Sequence, residues 1–291
     1  MKWTFEKENV MILRDFLREE QGFSRRILKS IISDGGEILV NGKSATLRYK
    51  LKHGDRITVK FPDEKKGNHM LPDDIPIQIV YEDDFVLVLD KPAGMATIPS
   101  LHHQTGTIAN AVLFHYAKQG LPYTVHVVTR LDRDTSGLLL IAKHRYSHSK
   151  LSIGQKQGRV KRKYIAIVEG VPKPTKGVIH ANIGRKADSI IERTVREDGQ
   201  SAITNYEVVK DDGQYALVAI QLETGRTHQI RVHFSYIGYP LAGDDLYGGS
   251  LDKINRQALH SCELQFEHPE TKEWLAFTSE IPDDMKKILS S

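Results

Sequence analysis

Cysteine is nearly absent from this 291-residue chain, whose single thiol is Cys262. One cysteine excludes a disulfide within the chain and a thiolate metal cluster, and it suits a reducing compartment. Long hydrophobic runs are missing too, none approaching the roughly 18 residues that span a bilayer. The opening Met1-Lys2-Trp3-Thr4-Phe5-Glu6-Lys7-Glu8 has no apolar stretch of the kind a signal peptide needs. Internal repeats and low-complexity tracts are not found either. The expectation is a soluble cytoplasmic protein with no membrane contact. What the chain does contain is ordinary for a globular protein, with 40% hydrophobic and 27% charged residues, which excludes wholesale disorder and collagen-like structure. Its length suits two domains, or one large domain with a small appendage.

The net charge of +4 is unevenly spread. Residues 1–60 hold 13 Lys and Arg against 8 Asp and Glu, and the remainder holds 28 against 29. The excess positive charge therefore sits in the first fifth of the chain and points towards a polyanion. There Ile12, Leu13, Phe16 and Leu17 predict one helix face, and Gly22 ends that helix. Ser24 is a suitable N-cap for a second helix with Ile27, Leu28, Ile31 and Ile32 inward and Arg25, Arg26 and Lys29 on the opposite face. Glu37–Val40 reads as a strand, Asn41-Gly42 as a hairpin turn, and Arg56–Phe61 as a further strand.

Residues 62–76 carry three prolines and Lys65-Lys66-Gly67-Asn68, and read as a linker. Beyond them, strands are expected at 77–81, 85–89, 138–142, 164–168, 203–209, 215–222 and 264–268. A helix is expected at 107–118 with Ile108, Val112 and Phe114 or His115 inward. Strands outnumber helices without regular alternation, so the expected class is α+β.

Three stretches carry chemistry. In Thr129-Arg130-Leu131-Asp132-Arg133-Asp134-Thr135-Ser136-Gly137, a polar loop runs into the hydrophobic strand that follows. Asp132, between two arginines, is a carboxylate that stays ionised and can serve as nucleophile or base; the plainer reading is a solvated turn with a surface ion pair. In Gly225-Arg226-Thr227-His228-Gln229-Ile230-Arg231-Val232-His233, the two histidines do not share a helix face and lack a third ligand, so a metal is not expected. Arg226 or Arg231 suits a phosphate or a carboxylate. In Arg159-Val160-Lys161-Arg162-Lys163-Tyr164, four cations precede an aromatic, which reads equally as a lysine-protected edge strand or as a phosphate track beside a stacking ring.

Taken together, Arg130-Leu131-Asp132-x-x-Thr135-Ser136-Gly137, the Gly225–His233 stretch and Gly238-x-Pro240-Leu241-x-Gly243-Asp244 resemble the RluA-type pseudouridine synthases. Asp90-Lys91-Pro92-Ala93-Gly94-Met95 resembles the opening motif of that family, and Leu259-His260 with His268-Pro269 its closing one. The resemblance spans roughly residues 75–285, with the motifs in family order. A looser resemblance, over about residues 10–60, is to the small RNA-binding domain of ribosomal protein S-four.

The resemblance implies an α+β fold with a mixed, mostly antiparallel sheet, preceded by a small α/β RNA-binding module. The implied organisation is a basic module over 1–61, a linker over 62–76 and a catalytic domain over 77–291. The implied activity is isomerisation of uridine in RNA: uracil is cut from the ribose, turned and rejoined through ring carbon five, without cofactor or metal. Asp132 falls on the essential aspartate, Arg231 on the arginine that pairs with it, and Tyr164 on the ring that packs against the target base. Arg130 falls on an arginine that fills the gap left by the flipped base, and Leu259 supplies an apolar floor. Arg133, Arg226 and His228 are further candidates for contact with RNA, as are Arg25, Arg26 and Lys29 as a tethered phosphate grip. Ribosomal RNA of the large subunit is the expected partner, ahead of transfer RNA, and a monomer the expected state. One departure is Thr129, where many relatives have histidine. Two rival readings are a glycoside hydrolase, which would need a second carboxylate at a set separation, and a non-catalytic RNA-binding factor.

Overall fold

The computed structural model describes residues 1–64, 70–100 and 104–290. The Lys65-Lys66-Gly67-Asn68 part of the expected linker lies outside the described residues. In the N-terminal part, strands Lys2–Thr4, Arg56–Lys60, Glu37–Val40 and Lys43–Ser44 form an antiparallel sheet in that order. Asn41 and Gly42 turn the hairpin with φ of 50° and 77°, the left-handed pair that a tight two-residue turn requires. Helix Arg25–Ser33 starts at Ser24, whose hydroxyl accepts from the Ile27 amide at 3.2 Å.

Two details differ from expectation. Ile12 is half-buried in a short strand, Met11–Ile12, and the helix begins only at Leu13, running on as a wider turn over Phe16–Glu20. Ile32 is 61% exposed while Ile27, Leu28 and Ile31 are buried. At about 100° per residue, Ile32 falls roughly a quarter-turn from the centre of the face that the other three define.

The remainder is built on a ten-stranded sheet. Its main path runs Lys176–His180, Ile203–Asp211, Tyr215–Leu222, Val160–Glu169, Leu259–Glu267, Ser136–Ala142, Val86–Lys91, Gln78–Glu82. Pairing is antiparallel except where Ser136 and Gly137 meet His260 and Ser261 in parallel. The architecture is α+β with a mixed, mostly antiparallel sheet. Gly137 has φ of 106° and lies so close to Ser261 that a Cβ there would collide with its backbone. Glycine is thus what allows the parallel contact.

Helices Ile108–Lys118 and Gln229–Tyr236 cover one face of the sheet, with Ile108, Val112, Tyr116, Ile230 and Phe234 against Leu87, Leu139, Ile141, Tyr164, Ala166 and Val218. On helix Ile108–Lys118, Leu113 and Tyr116 are buried inward, while Phe114 and His115 are only half-buried. Helix Arg145–Lys156 serves a second core with Leu138, Leu140 and Leu264. The closing strand is Leu259–Glu267, five residues longer at its start than the sequence pattern suggests. Its polar His260 and Ser261 are buried inside the sheet, where hydrophobic patterning gives no signal. Strand Val160–Glu169 is no edge strand, for it is paired on both sides.

The described residues between 62 and 76 are fastened to the larger part. Glu64 lies 2.6 Å from His126 and also meets Arg145, and the Leu71 carbonyl accepts from Asn110 at 2.7 Å. Tyr146, from helix Arg145–Lys156, sits in the N-terminal core with Phe16, Phe23 and Ile31, and its hydroxyl donates to the Gln21 carbonyl at 3.0 Å. Among the described residues no helix is long and apolar enough to cross a membrane.

Candidate active site

Asp132 sits on a short loop between strands His126–Val127 and Ser136–Ala142, and that loop is held from several directions. The Thr129 hydroxyl accepts from the Leu140 amide at 2.9 Å, and the Thr97 hydroxyl donates to the Leu131 carbonyl at 2.7 Å. Lys91 is 1% exposed, and its Nζ donates to the carbonyls of Pro92, Met95 and Arg133 at 2.7–2.8 Å. Burial lowers the Lys91 pKa to about 8, against the pull of Asp134 and Asp132. Arg256 donates to the Asp134 carbonyl at 3.2 Å. Thr129, buried and bonded to backbone, thus has a structural task in this chain.

The Asp132 side chain remains 27% exposed. Its Oδ2 accepts from Arg231 Nη1 at 3.4 Å and lies 3.9 Å from His228 Nε2. Arg231 projects from helix Gln229–Tyr236 and is gripped from behind by Asp244, with Nε and Nη2 donating to the two carboxylate oxygens at 2.7 Å each. The Asp244 side chain is fully buried. Burial alone would lower the Arg231 pKa, but the hydrogen bonds and charge of Asp244, with Asp132 adding to them, outweigh it and raise it above the ordinary value. Such a two-point fork removes rotational freedom, so the third nitrogen has a fixed direction.

His228 opens the same helix with φ of 57°. Its Nδ1 lies 2.8 Å from the Tyr247 hydroxyl, which also accepts from the Arg193 amide at 2.9 Å. The Tyr247 ring stands 4.9 Å from the Arg231 guanidinium, a favourable cation–ring placement. Burial lowers the His228 pKa, Asp132 opposing and Arg231 and Arg193 reinforcing the shift. Burial thus favours the uncharged form of the imidazole beside Asp132.

The structure thus brings Asp132, Arg231 and His228 together. Tyr164 is buried on strand Val160–Glu169 and shares an apolar cluster with Leu131, Ile230 and Leu259, the chain neighbours of the charged pair included. Arg130 and Arg133 are exposed on either side of Leu131-Asp132. Arg133 is bound to Asp134 at 3.0 Å rather than to Asp132. Arg226 is turned to the Ser201 carbonyl, to which its Nε donates at 3.0 Å. His233 is buried between Thr204 and the Ala181 carbonyl and makes no joint site with His228. Arg25, Arg26 and Lys29 are exposed on helix Arg25–Ser33. A continuous phosphate track over Arg159–Lys163 is not what the side chains form. Arg159 pairs with Glu267 at 2.6 Å, Lys163 with Glu263 at 2.8 Å, and Lys161 stands over Trp274 at 5.2 Å. Asp244, Tyr247, Lys91 and Thr97 carry site geometry that patterning did not assign; only the placement of Asp244 and Lys91 within recurrent motifs hinted at it.

A partly exposed carboxylate facing a fixed guanidinium beside a buried ring can act as nucleophile or base on a planar substrate. Among the described residues, the acids nearest Asp132 in the fold and the chain are already engaged, Asp244 with Arg231 and Asp134 with Arg133, which disfavours the second acid a glycoside hydrolase requires. These features define a candidate active site at the Asp132 loop of a mixed sheet. The signature of the RNA pseudouridylate synthase family matches residues 85–236. A Bacillus subtilis protein described as the uncharacterized RNA pseudouridine synthase YjbO is 51% identical over 270 residues, covering 93% of this chain and 95% of the relative. The ribosomal large subunit pseudouridine synthase D of Pseudomonas aeruginosa is 39% identical over 282 residues, covering 92% of this chain and 87% of the relative. Among solved structures, human RNA pseudouridylate synthase domain containing 4 superposes with a TM-score of 0.60 at 22% identity, over 73% of this chain and 92% of that one, a likeness of fold. The chain belongs to the RNA pseudouridine synthase family, and its activity is that of an isomerase acting on RNA.

Proposed function

We propose that this synthase converts uridine to pseudouridine in large-subunit ribosomal RNA, with Asp132 as the reacting carboxylate, Arg231 as the cation that positions it and Tyr164 as the ring against which the target base lies. The observation that carries this reading is the Arg231 guanidinium, anchored on Asp244 by two nitrogens and offering its third to Asp132. A carboxylate so held loses little freedom on meeting a substrate, which is worth rate in any of the routes open to it. Addition to the sugar, addition to the ring and removal of a sugar proton all need that oxygen beside the glycosidic bond.

The target uracil must leave its stack, at a cost of a few kcal/mol that is smallest in loops and bulges. Tyr164 and Leu259, members of one apolar cluster on neighbouring strands, are suited to flank the extruded ring. Arg130 and Arg133, exposed beside Asp132, suit contact with the flanking RNA. Residues 1–61 serve as a small RNA-binding module of the kind found in ribosomal protein S-four, residues 62–76 as the connection and 77–291 as the catalytic domain, with Arg25, Arg26 and Lys29 as phosphate contacts. The preference for ribosomal RNA is supported by the named function of the Pseudomonas relative and by this basic module.

The test is to incubate the protein with unmodified large-subunit ribosomal RNA and map carbodiimide-dependent stops of reverse transcription. The parent protein should produce a discrete stop and Asp132→Asn none. Equal conversion by Asp132→Asn would remove that carboxylate from the mechanism, and stops confined to transfer RNA would replace the ribosomal target.

A further inference from the structure

Arg162 lies two residues before Tyr164 on strand Val160–Glu169, so both side chains leave the same face of the sheet. It is only 8% exposed, and its Nε is buried with no hydrogen-bond partner. Among the described residues no carboxylate pairs with its guanidinium. The neighbouring cations differ, since Arg159 and Lys163 are ion-paired and Lys161 stands over a ring. The Arg162 head group instead rests against Gly225, where a Cβ would come within 3.0 Å of Nη2 and 3.3 Å of Nη1. Gly225 opens the loop that leads to His228 and Arg231. A glycine there lets the Arg162 head group lie close against the chain, on the strand that carries Tyr164 and beside the loop that leads into the helix of Arg231.

A guanidinium cannot lose its charge in this pH range, and a buried unpaired charge is unfavourable until an anion reaches it. Its fork matches two oxygens of a phosphate. Side chains two residues apart on a strand are separated by about 7 Å, the order of the span from a pyrimidine ring to the phosphate of its own nucleotide. We propose that Arg162 binds a backbone phosphate next to the extruded uridine and so fixes the ribose relative to Asp132. This rests on the reading of the Asp132 site as the place where the nucleotide is held, but not on which RNA supplies it.

The experiment compares the parent with R162M and R162K, using decauridylate as the probe, which has no ribosomal sequence. Failure of the ribosomal assignment would therefore leave the result untouched. R162M should bind about tenfold more weakly, with the slope of log affinity against log salt shallower by about 0.7, and R162K should recover the slope. In the absence of RNA, R162M should melt a few degrees above the parent, because it removes a charge with no partner. A salt slope unchanged in R162M overturns the proposal, whatever happens to affinity, because a contact to a base carbonyl releases no counterion. A variant that melts below the parent or fails to fold also overturns it, because the guanidinium would then be structural.

Discussion

Asp244 is the residue on which the site's geometry turns. Its carboxylate is fully buried and spends both oxygens on Arg231. Asp244→Asn keeps the shape and one acceptor oxygen but removes the charge, leaving the longer 3.4 Å contact to Asp132 as the remaining ion pair of a buried guanidinium. The expected loss of stability is about 3 kcal/mol by urea denaturation, and kcat should fall about 100-fold as Asp132 loses its fixed position. Equal turnover with the stability loss intact would confine Asp244 to folding. Asp132 and Arg231 were legible in the sequence because each sits in a dense polar motif that a core has no use for. The role of Asp244 was not, because its partner is 13 residues away across a turn. The pairing of Arg133 with Asp134 was equally hidden: adjacency to Asp132 in the chain says nothing about which way a flexible cation swings.

Among the elements, helix Arg145–Lys156 is the most exposed to pH. Its N-cap is His144, whose Nδ1 accepts from the Ser147 amide at 3.3 Å. Burial lowers the His144 pKa from 6.5 to about 4. The folded protein keeps this imidazole neutral over that interval, whereas the unfolded chain takes up a proton. Stability therefore falls as pH drops below 6.5, by up to about 1.4 kcal/mol per pH unit for this one group. His148, His228, His233 and His260 are lowered by burial as well and steepen the same limb. His144→Asn keeps a capping oxygen and removes one titration, so urea midpoints at pH 4.5 and 7 should lie closer together than in the parent. A spacing equal to the parent's would mean that His144 is already protonated in the folded state near pH 6.5. Helices and strands with clear periodicity were readable, Ser24 and the Asn41-Gly42 hairpin included. The start of strand Leu259–Glu267 was missed because His260 and Ser261 are buried polar residues, with His260 Nδ1 2.9 Å from the Ser136 hydroxyl, in a pattern that in sequence looks like a surface. The interior place of Val160–Glu169 was concealed by a run of cations, of which Arg159 and Lys163 turn out to pair with carboxylates of the neighbouring strand.

Across the whole molecule, the charge asymmetry is the feature with consequences for binding. Arg25, Arg26 and Lys29 stand exposed on one helix of the N-terminal part. Reversing all three charges should weaken binding to unmodified large-subunit ribosomal RNA and make its salt slope shallower by about 2 or more. An unchanged slope would take that helix out of the RNA contact. Composition and motif order were enough to anticipate the sheet class and the basic N-terminal part. They could not show how the two parts meet, since that depends on contacts between residues far apart in the chain, Tyr146 in the N-terminal core, Arg145 on Ser30 and Phe61 on His144 among them. With this ring seated among Phe16, Phe23 and Ile31, the N-terminal part is packed against helix Arg145–Lys156. On the proposed reading, an RNA held both at the Arg25 face and at Asp132 must bring a phosphate and a displaceable uridine at the one spacing that this packing sets.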